Sequence, residues 1–385
     1  MMTKLNHAFK YHFHREDGIP FFSPGRVNLI GEHIDYNGGF VFPCAISYGT
    51  YGIAQKREDR LVHVYSESFS NHMYTFSLDE LSKDKNDAWA DYIKGSIKAL
   101  SVHGYDIPYG IDLYLTSTMP MGAGLSSSAS LEMLIITVFD HIFSLNISLK
   151  EKVLLGKYAE NKFVGVNSGI MDQFAVVAGK KDHAMLLNTD TLAYEQIPLI
   201  LKDYTLLIAN TNKKRGLADS KYNERYAECQ TSLNLLKPIY QIHHLCELSE
   251  EKLHEIQSVL DSTLYRRTKH VIREQARTIR SAEALKKDDL LMFAKLMNES
   301  HNSLRDDYEV TGIELDTLQE ALLSSGAIGA RMTGAGFGGC VISIIPTHLI
   351  TEVKRNANHV YKEKIGYEPT FYEVLPSEGT SLLLD

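Results

Sequence analysis

The residues best suited to hold a phosphate lie in Met119-Pro120-Met121-Gly122-Ala123-Gly124-Leu125-Ser126-Ser127-Ser128-Ala129-Ser130. Glycines, then serines, then an unbroken apolar segment predict a loop feeding a helix, with N–H groups and hydroxyls gathered at its start. First-turn amides have no intrahelical partner and the helix dipole favours negative charge there, so the start is an anion site and a nucleotide phosphate is the expected anion. Taken alone, the stretch also reads as a glycine-rich turn with serine caps. Two other chemistries are excluded: a P-loop needs a lysine and then Ser or Thr after its second glycine, and a hydrolase elbow needs a glycine where Ser128 stands.

Three further segments carry polar groups at spacings that matter. In Pro24-Gly25-Arg26-Val27-Asn28-Leu29-Ile30-Gly31-Glu32-His33-Ile34-Asp35-Tyr36-Asn37-Gly38-Gly39, charged and amide side chains crowd among glycines. Such a set suits a polyhydroxyl ligand, because carboxylates accept hydroxyl protons and each group fixes one stereocentre; the alternative is a polar surface turn. In Gly165-Val166-Asn167-Ser168-Gly169-Ile170-Met171-Asp172-Gln173-Phe174, Asp172 falls in the first turn of a short helix, where an aspartate serves either the dipole or chemistry. Glu160 shares a helical face with Val153 and Gly156, so its carboxylate either snorkels to water or coordinates something. Arg331-Met332-Thr333-Gly334-Ala335-Gly336-Phe337-Gly338-Gly339-Cys340 contains G-x-G-x-x-G, but the strand pattern after it offers no helix N-terminus to a pyrophosphate. A tight turn buttressing the nucleotide loop, or a plain hairpin turn, remains.

The elements that must position these groups alternate strand and helix in the first half. Strands are predicted at 51–55 and 61–66, and Ile111, Leu113 and Leu115 alternate with Asp112 and Tyr114 as a strand entering the serine loop. Helices are predicted at 88–102, ending near Gly104, and at 131–143, apolar nearly all round and therefore buried. Ser148 and Glu151 form a capping-box pattern for a helix to about Phe163. A strand at 204–209 leads to polar Asn210-Thr211-Asn212-Lys213-Lys214-Arg215-Gly216. A helix then starts near Asp219, with Tyr222, Tyr226, Cys229, Leu233 and Leu236 on one face, and helices fill 250–325 before a closing strand pair.

A chain of 385 residues, 44% hydrophobic and 23% charged, suggests two domains with sizeable cores; the boundary is expected near 180–200 and drawn between 1–185 and 186–385. A net charge of −8 argues against a general nucleic-acid binder. Four scattered cysteines read as reduced, buried thiols, no histidine pair has metal-helix spacing, and no segment reads as a signal peptide or membrane span, so a cytoplasmic protein is expected.

Together these segments resemble the galactokinase family, in the superfamily it shares with homoserine, mevalonate and phosphomevalonate kinases. GRVNLIGEH and DYNGG resemble its signature, PMGAGLSSSAS its phosphate loop and TGAGFGGC its third motif; GIMDQF and SKYNER match as well. The resemblance implies an α+β two-domain small-molecule kinase with its active site in the cleft between domains. It implies ATP- and Mg²⁺-dependent phosphorylation of the anomeric hydroxyl of galactose, giving galactose 1-phosphate and ADP. By resemblance Asp172 is the catalytic carboxylate and Arg26 stabilises the transition state. Glu32, His33, Ile34, Asp35 and Tyr222 stand at sugar-binding positions, although the family usually carries Thr where this chain has Ile34. Gly122, Ala123, Gly124, Leu125, Ser126, Ser127 and Ser128 stand at the ATP-phosphate loop, Ser66 at a nucleotide contact, and Ser128 and Glu160 at the Mg²⁺ positions. The expected partners are galactose and ATP, without nucleic acid or membrane, and the expected state is a monomer. A sugar sensor that kept the fold without turnover is the rival reading.

Overall fold

The structure is a computed structural model that describes residues 2–68, 72–84, 86–120, 124–166, 169–213 and 218–383, with backbone alone at 218–220. Gly122 and Ala123 of the phosphate loop lie outside the described residues, as do Asn167 and Ser168.

Thirteen strands run through the described residues. They are β1 (Ile19–Asn28), β2 (Phe40–Val41), β3 (Pro43–Lys56), β4 (Leu61–Ser66), β5 (Tyr74–Ser77), β6 (Ile111–Ser117), β7 (His183–Asn188), β8 (Tyr194–Pro198), β9 (Tyr204–Asn210), β10 (Gly329–Thr333), β11 (Cys340–Pro346), β12 (Thr370–Val374) and β13 (Ser381–Leu382). A six-stranded sheet has the order β13-β1-β3-β6-β4-β5, a four-stranded sheet β10-β11-β9-β12, and a small sheet β2-β7-β8. Among the described residues only β4 and β6 pair in parallel; a parallel pair needs a crossover, and the helix Ala90–Val102 supplies it.

The helix Ser127–Phe143 packs against β1 and β3 and is buried from Ala129 through Phe139, which is why its sequence is apolar all round. It begins four residues before the predicted start, so the serines form its first turn. The helix Leu149–Tyr158 opens with the Ser148–Glu151 capping box but does not stay α-helical to Phe163. At Ala159–Val164 it widens into a π turn, with the Gly165 amide reaching back to the Glu160 carbonyl at 2.8 Å. Such a turn reorients side chains locally and recurs at functional positions. The C-terminal sheet is covered by the helices Leu290–Ser303, Ile313–Ser324 and Ile350–Ile365, with Ser262–Lys286 packed behind the first of them.

The two halves pack on a shared core. Val27, Leu29, Ile30 and Phe42 share one apolar cluster with Ile208, Phe293, Leu296 and Ile342. A cut at 185 would fall inside β7, whose pairing with β8 holds both sides together; the chain crosses to the second sheet between Pro198 and Tyr204, and β13 returns to β1. The shared core sets the end of β1 beside β10, and the candidate site forms there. Cys44, Cys229, Cys246 and Cys340 are buried and form no disulfide among the described residues, and no helix of the described residues is long and apolar enough to cross a membrane.

Candidate active site

The register of β1 against β3 shifts between Pro24 and Gly25, immediately before Arg26. A Cβ on Gly25 would lie 2.7 Å from the Leu125 carbonyl oxygen, so only glycine lets the serine loop lie across the strand here. Two bonds then tie loop to strand: the Arg26 amide donates to Leu125 O (3.1 Å) and Arg26 Nη1 to Gly124 O (2.8 Å). From this anchorage the Arg26 guanidinium forks onto Asp172, Nε to Oδ1 and Nη2 to Oδ2, both at 2.8 Å. A bidentate pair of this kind fixes the plane of the carboxylate as well as its position. Asp172 sits in the first turn of the helix Met171–Val177.

Ser126 precedes the helix Ser127–Phe143 in the left-handed conformation (φ 59°, ψ 50°), and its side chain caps no amide. Its hydroxyl donates instead to Asp172 Oδ2. The first-turn amides are therefore left without a side-chain cap, at the mouth of a cavity of ≈ 330 Å³ lined by Arg26, Gly124, Ser127, Ser128 and Asp172 on one side and Thr333–Cys340 on the other. The glycine-rich turn of the second half thus forms the opposite wall of this cavity.

On the serine-loop side, Ser128 Oγ donates to Glu160 Oε1 at 3.1 Å, and Gln173 Nε2 donates to Glu160 Oε2 at 2.7 Å and to Glu132 Oε2 at 3.1 Å. The π turn delivers Glu160 here, 6% exposed, so its carboxylate turns inward rather than to water. Glu132 is fully buried, and burial first, then the nearby Glu160, pushes its carboxyl pKa well above the ordinary range.

A second cavity of ≈ 250 Å³ shares Arg26, Asp172, Gly334 and Ala335 with the first and is lined further by Asn28, Glu32, His33, Asp35, Gly169 and Tyr222. Glu32 accepts from Asn28 Nδ2 (3.2 Å) on one oxygen and from Arg331 Nη2 (2.8 Å) on the other. Burial nonetheless dominates and raises its pKa, with Arg331 opposing. His33 is brought down to about 3, chiefly by burial and then by His270, so its ring is neutral. Since a carbonyl only accepts, His33 carries its proton on Nε2 toward Ala335 O (3.2 Å), and Nδ1 accepts from the Tyr36 hydroxyl (3.0 Å). Asp35 is pushed up to about 6 by burial, then by Glu32. Tyr222, half-buried, sets its ring 5.7 Å from that of His33.

Ile34 does not join its neighbours. Its side chain is fully buried in the apolar core of the second half and lines neither cavity, which leaves its backbone as the part of this residue that could face a ligand. The backbone turns into the short helix Asp35–Asn37 at this point, which sends alternate side chains to opposite sides.

A third cavity of ≈ 550 Å³ shares Pro120, Ser127 and Ser128 with the first and is lined by Ser66, Trp89, Tyr92, Leu115, Met119 and Leu131. Ser66 is buried, and its hydroxyl lacks a hydrogen-bond partner among the described residues. Trp89 and Tyr92 were not singled out from sequence, although Trp89 is the one tryptophan in the chain and stands at the start of a helix. Arg331 was also unassigned; a charge inside the otherwise apolar strand β10 was its available signal.

The three cavities therefore run in series, an apolar one with two aromatic rings, an amide-lined one and a polar one, with Asp172 and Arg26 where the amide-lined cavity meets the polar one. The C-terminal part of the chain matches the GHMP kinase C-terminal domain at 281–363 and the preceding part the N-terminal domain at 91–180, which defines a GHMP-type small-molecule kinase. The galactokinase galactose-binding signature matches at 7–56. Galactokinase of Clostridium perfringens strain SM101 is 52% identical over 385 residues, 99% of this chain and 100% of its own, and that of Fusobacterium nucleatum is 51% identical, covering 97% of each. The solved structure of Lactococcus lactis galactokinase complexed with galactose superposes with a TM-score of 0.94 at 44% identity, covering 99% of this chain and 100% of that one. Methanococcus jannaschii mevalonate kinase shares the fold (TM-score 0.67, 20% identity, 94% of this chain and 100% of that one). This chain belongs to the galactokinase family.

Proposed function

We propose that the chain transfers the γ-phosphoryl group of ATP to the anomeric hydroxyl of galactose, releasing galactose 1-phosphate and ADP. The observation that carries this reading is the series of cavities meeting at Asp172. The base occupies the cavity of Trp89, Tyr92 and Ser66, the phosphates lie at the serine loop, and the sugar sits among Glu32, His33, Asp35 and Tyr222. In this reading Asp172, held on both oxygens by Arg26 and on one by Ser126, orients the C1 hydroxyl and takes its proton as the new P–O bond forms and the bond to ADP breaks. Arg26 has five N–H groups and uses three on Asp172 and Gly124, so two remain for the oxygens of the transferring group. The uncapped first-turn amides add positive potential from the other side.

Ser128 and Glu160 fit a Mg²⁺ ion. Their oxygens lie 3.1 Å apart, and adjacent ligands of an octahedral ion at roughly 2.1 Å are about 3 Å apart. Both are hard donors, and among the described residues no cluster of three His, Cys, Asp or Glu offers a complete protein cage, so phosphate and water oxygens would fill the other positions. When bound, the ion neutralises charge on the phosphates.

The test is an ADP-release assay on purified protein with ATP, Mg²⁺ and a panel of hexoses, beside calorimetric titration. Galactose should be turned over far better than glucose. Binding of galactose and ATP without ADP release would mean a sensor, and equal turnover of the epimers would remove the sugar assignment.

A further inference from the structure

The loop that carries Glu32 is held from behind by a helix of the other half. Glu274, on the helix Ser262–Lys286, is fully buried, and its Oε1 accepts from the Gly31 amide (3.0 Å), the Glu32 amide (3.3 Å) and Ser300 Oγ (2.7 Å). Its Oε2 accepts from Arg277 Nε (2.8 Å). One turn earlier His270, fully buried, turns Nε2 toward the Glu32 carbonyl (3.1 Å) and Nδ1 toward Ser303 Oγ (2.9 Å). Since a carbonyl only accepts, His270 is the donor in the first bond. Positions 270, 274 and 277 share one helical face.

Every polar group of Glu32 is therefore engaged: the amide by Glu274, the carbonyl by His270, the carboxylate by Asn28 and Arg331. We propose that Glu274 and His270 are positioning residues for sugar recognition, fixing the peptide of Glu32 so that its carboxylate faces the incoming hydroxyls at a set angle. This deepens the galactose reading and rests on it. The electrostatics suit the task. Against its burial, Arg277 foremost holds the Glu274 carboxyl down at about 2, and burial brings His270 to about 4. Both groups thus keep one charge state, anionic and neutral, over the range in which a cytosolic enzyme works. A loop gripped through its backbone by groups that do not titrate loses no entropy on meeting the sugar, which favours discrimination between stereoisomers.

Glu274→Gln tests the clamp with almost no change of volume. The new amide has a single acceptor oxygen, so either the loop amides or Arg277 is left donor against donor. Galactose Kd should rise about tenfold, with the Kd of a non-hydrolysable ATP analogue within about twofold of wild type. Adding Arg277→Gln supplies an acceptor for the amide's N–H groups, and the double variant should recover most of the galactose affinity. His270→Gln should weaken galactose selectively as well. Hydrogen exchange at the Gly31 and Glu32 amides, followed without sugar, should accelerate in Glu274→Gln and slow again in the double variant. Unchanged exchange in a folded Glu274→Gln protein overturns the clamp. So does equal weakening of both ligands, or loss of cooperative melting in every variant, since either assigns these residues to general stability. A wild type that binds no galactose while exchange still responds would instead overturn the functional reading on which the sugar role rests.

Discussion

Asp35 offers the sharpest test of how the sugar pocket works, because function and stability should move in opposite directions there. Its carboxyl is half-buried and pushed from 3.8 up to about 6 by burial, with Glu32 next in weight. A shift of about two units corresponds to an upper bound of roughly 3 kcal/mol of preference for the protonated form in the free enzyme. The folded pKa lies above the unfolded one, so this group's contribution to stability is present below the unfolded pKa and is lost as pH rises through about 6. Sugar binding asks for the opposite state, since only the carboxylate accepts two hydroxyl protons at once. Galactose kcat/KM, measured at saturating ATP by coupled ADP release from pH 5 to 8, should therefore fall on the acid side with a midpoint near pH 6. His33, at about 3, stays neutral through this window and should not contribute.

Asp35→Asn removes the titration and keeps the volume. The acid limb should flatten, and galactose kcat/KM at pH 7 should drop about 10- to 100-fold, the loss of hydrogen bonds to a charged acceptor at roughly 1.5–3 kcal/mol. Thermal melts at pH 7 should show the variant a few degrees more stable than wild type, because a disfavoured buried charge has gone. A limb near pH 6 that persists in Asp35→Asn would refute the assignment. A variant no more stable at pH 7 would refute the burial argument itself.

Three further outcomes are expected. Asp172→Ala should cut turnover about 10²–10⁴-fold while sparing most of the affinity for galactose and ATP, which calorimetry would read; near-normal turnover would overturn the mechanism. Glu160→Gln should raise the Mg²⁺ concentration needed for half-maximal rate and lower the rate, and an unchanged Mg²⁺ titration would remove Glu160 from the metal. Trp89→Ala should raise the KM for ATP about tenfold through lost stacking at roughly 1–3 kcal/mol and leave the galactose KM alone, which steady-state kinetics would decide.

What the sequence made legible is local. Glycines beside serines announce a loop before a helix because backbone freedom and capping are properties of a few consecutive residues, and the capping box at Ser148 and Glu151 is formed for the same reason. Pairings between distant segments were not legible. Arg331 and Glu32 meet across 299 positions and Glu274 and Gly31 across 243, and nothing near either partner marks the other. The π turn at Ala159–Val164 was invisible as well, since one residue of excess winding leaves the apolar pattern of the helix nearly intact. The direction of the Ile34 side chain was not legible for a related reason. A run of site residues suggests that each faces the ligand, but a turn points successive side chains in different directions, and the apolar one goes to the core.

In the proposed reading, the charges assigned to the sugar differ from those assigned to phosphoryl transfer in how each is held. Arg26 and Ser126 both bond Asp172, and all three come from the first half of the chain, so the side chains proposed to act at the reacting centre hold one another without a partner from the second half. Glu32 instead depends on Arg331 of β10, and removing either partner would leave the other buried and unpaired, at a cost of about 3–5 kcal/mol. Each Glu32 oxygen already accepts one bond and keeps a lone pair, directed by partners that cannot follow a displaced hydroxyl. An epimer that places one hydroxyl on the wrong face leaves that lone pair desolvated and unmatched. Rejection of this kind comes from rigidity rather than from any added contact.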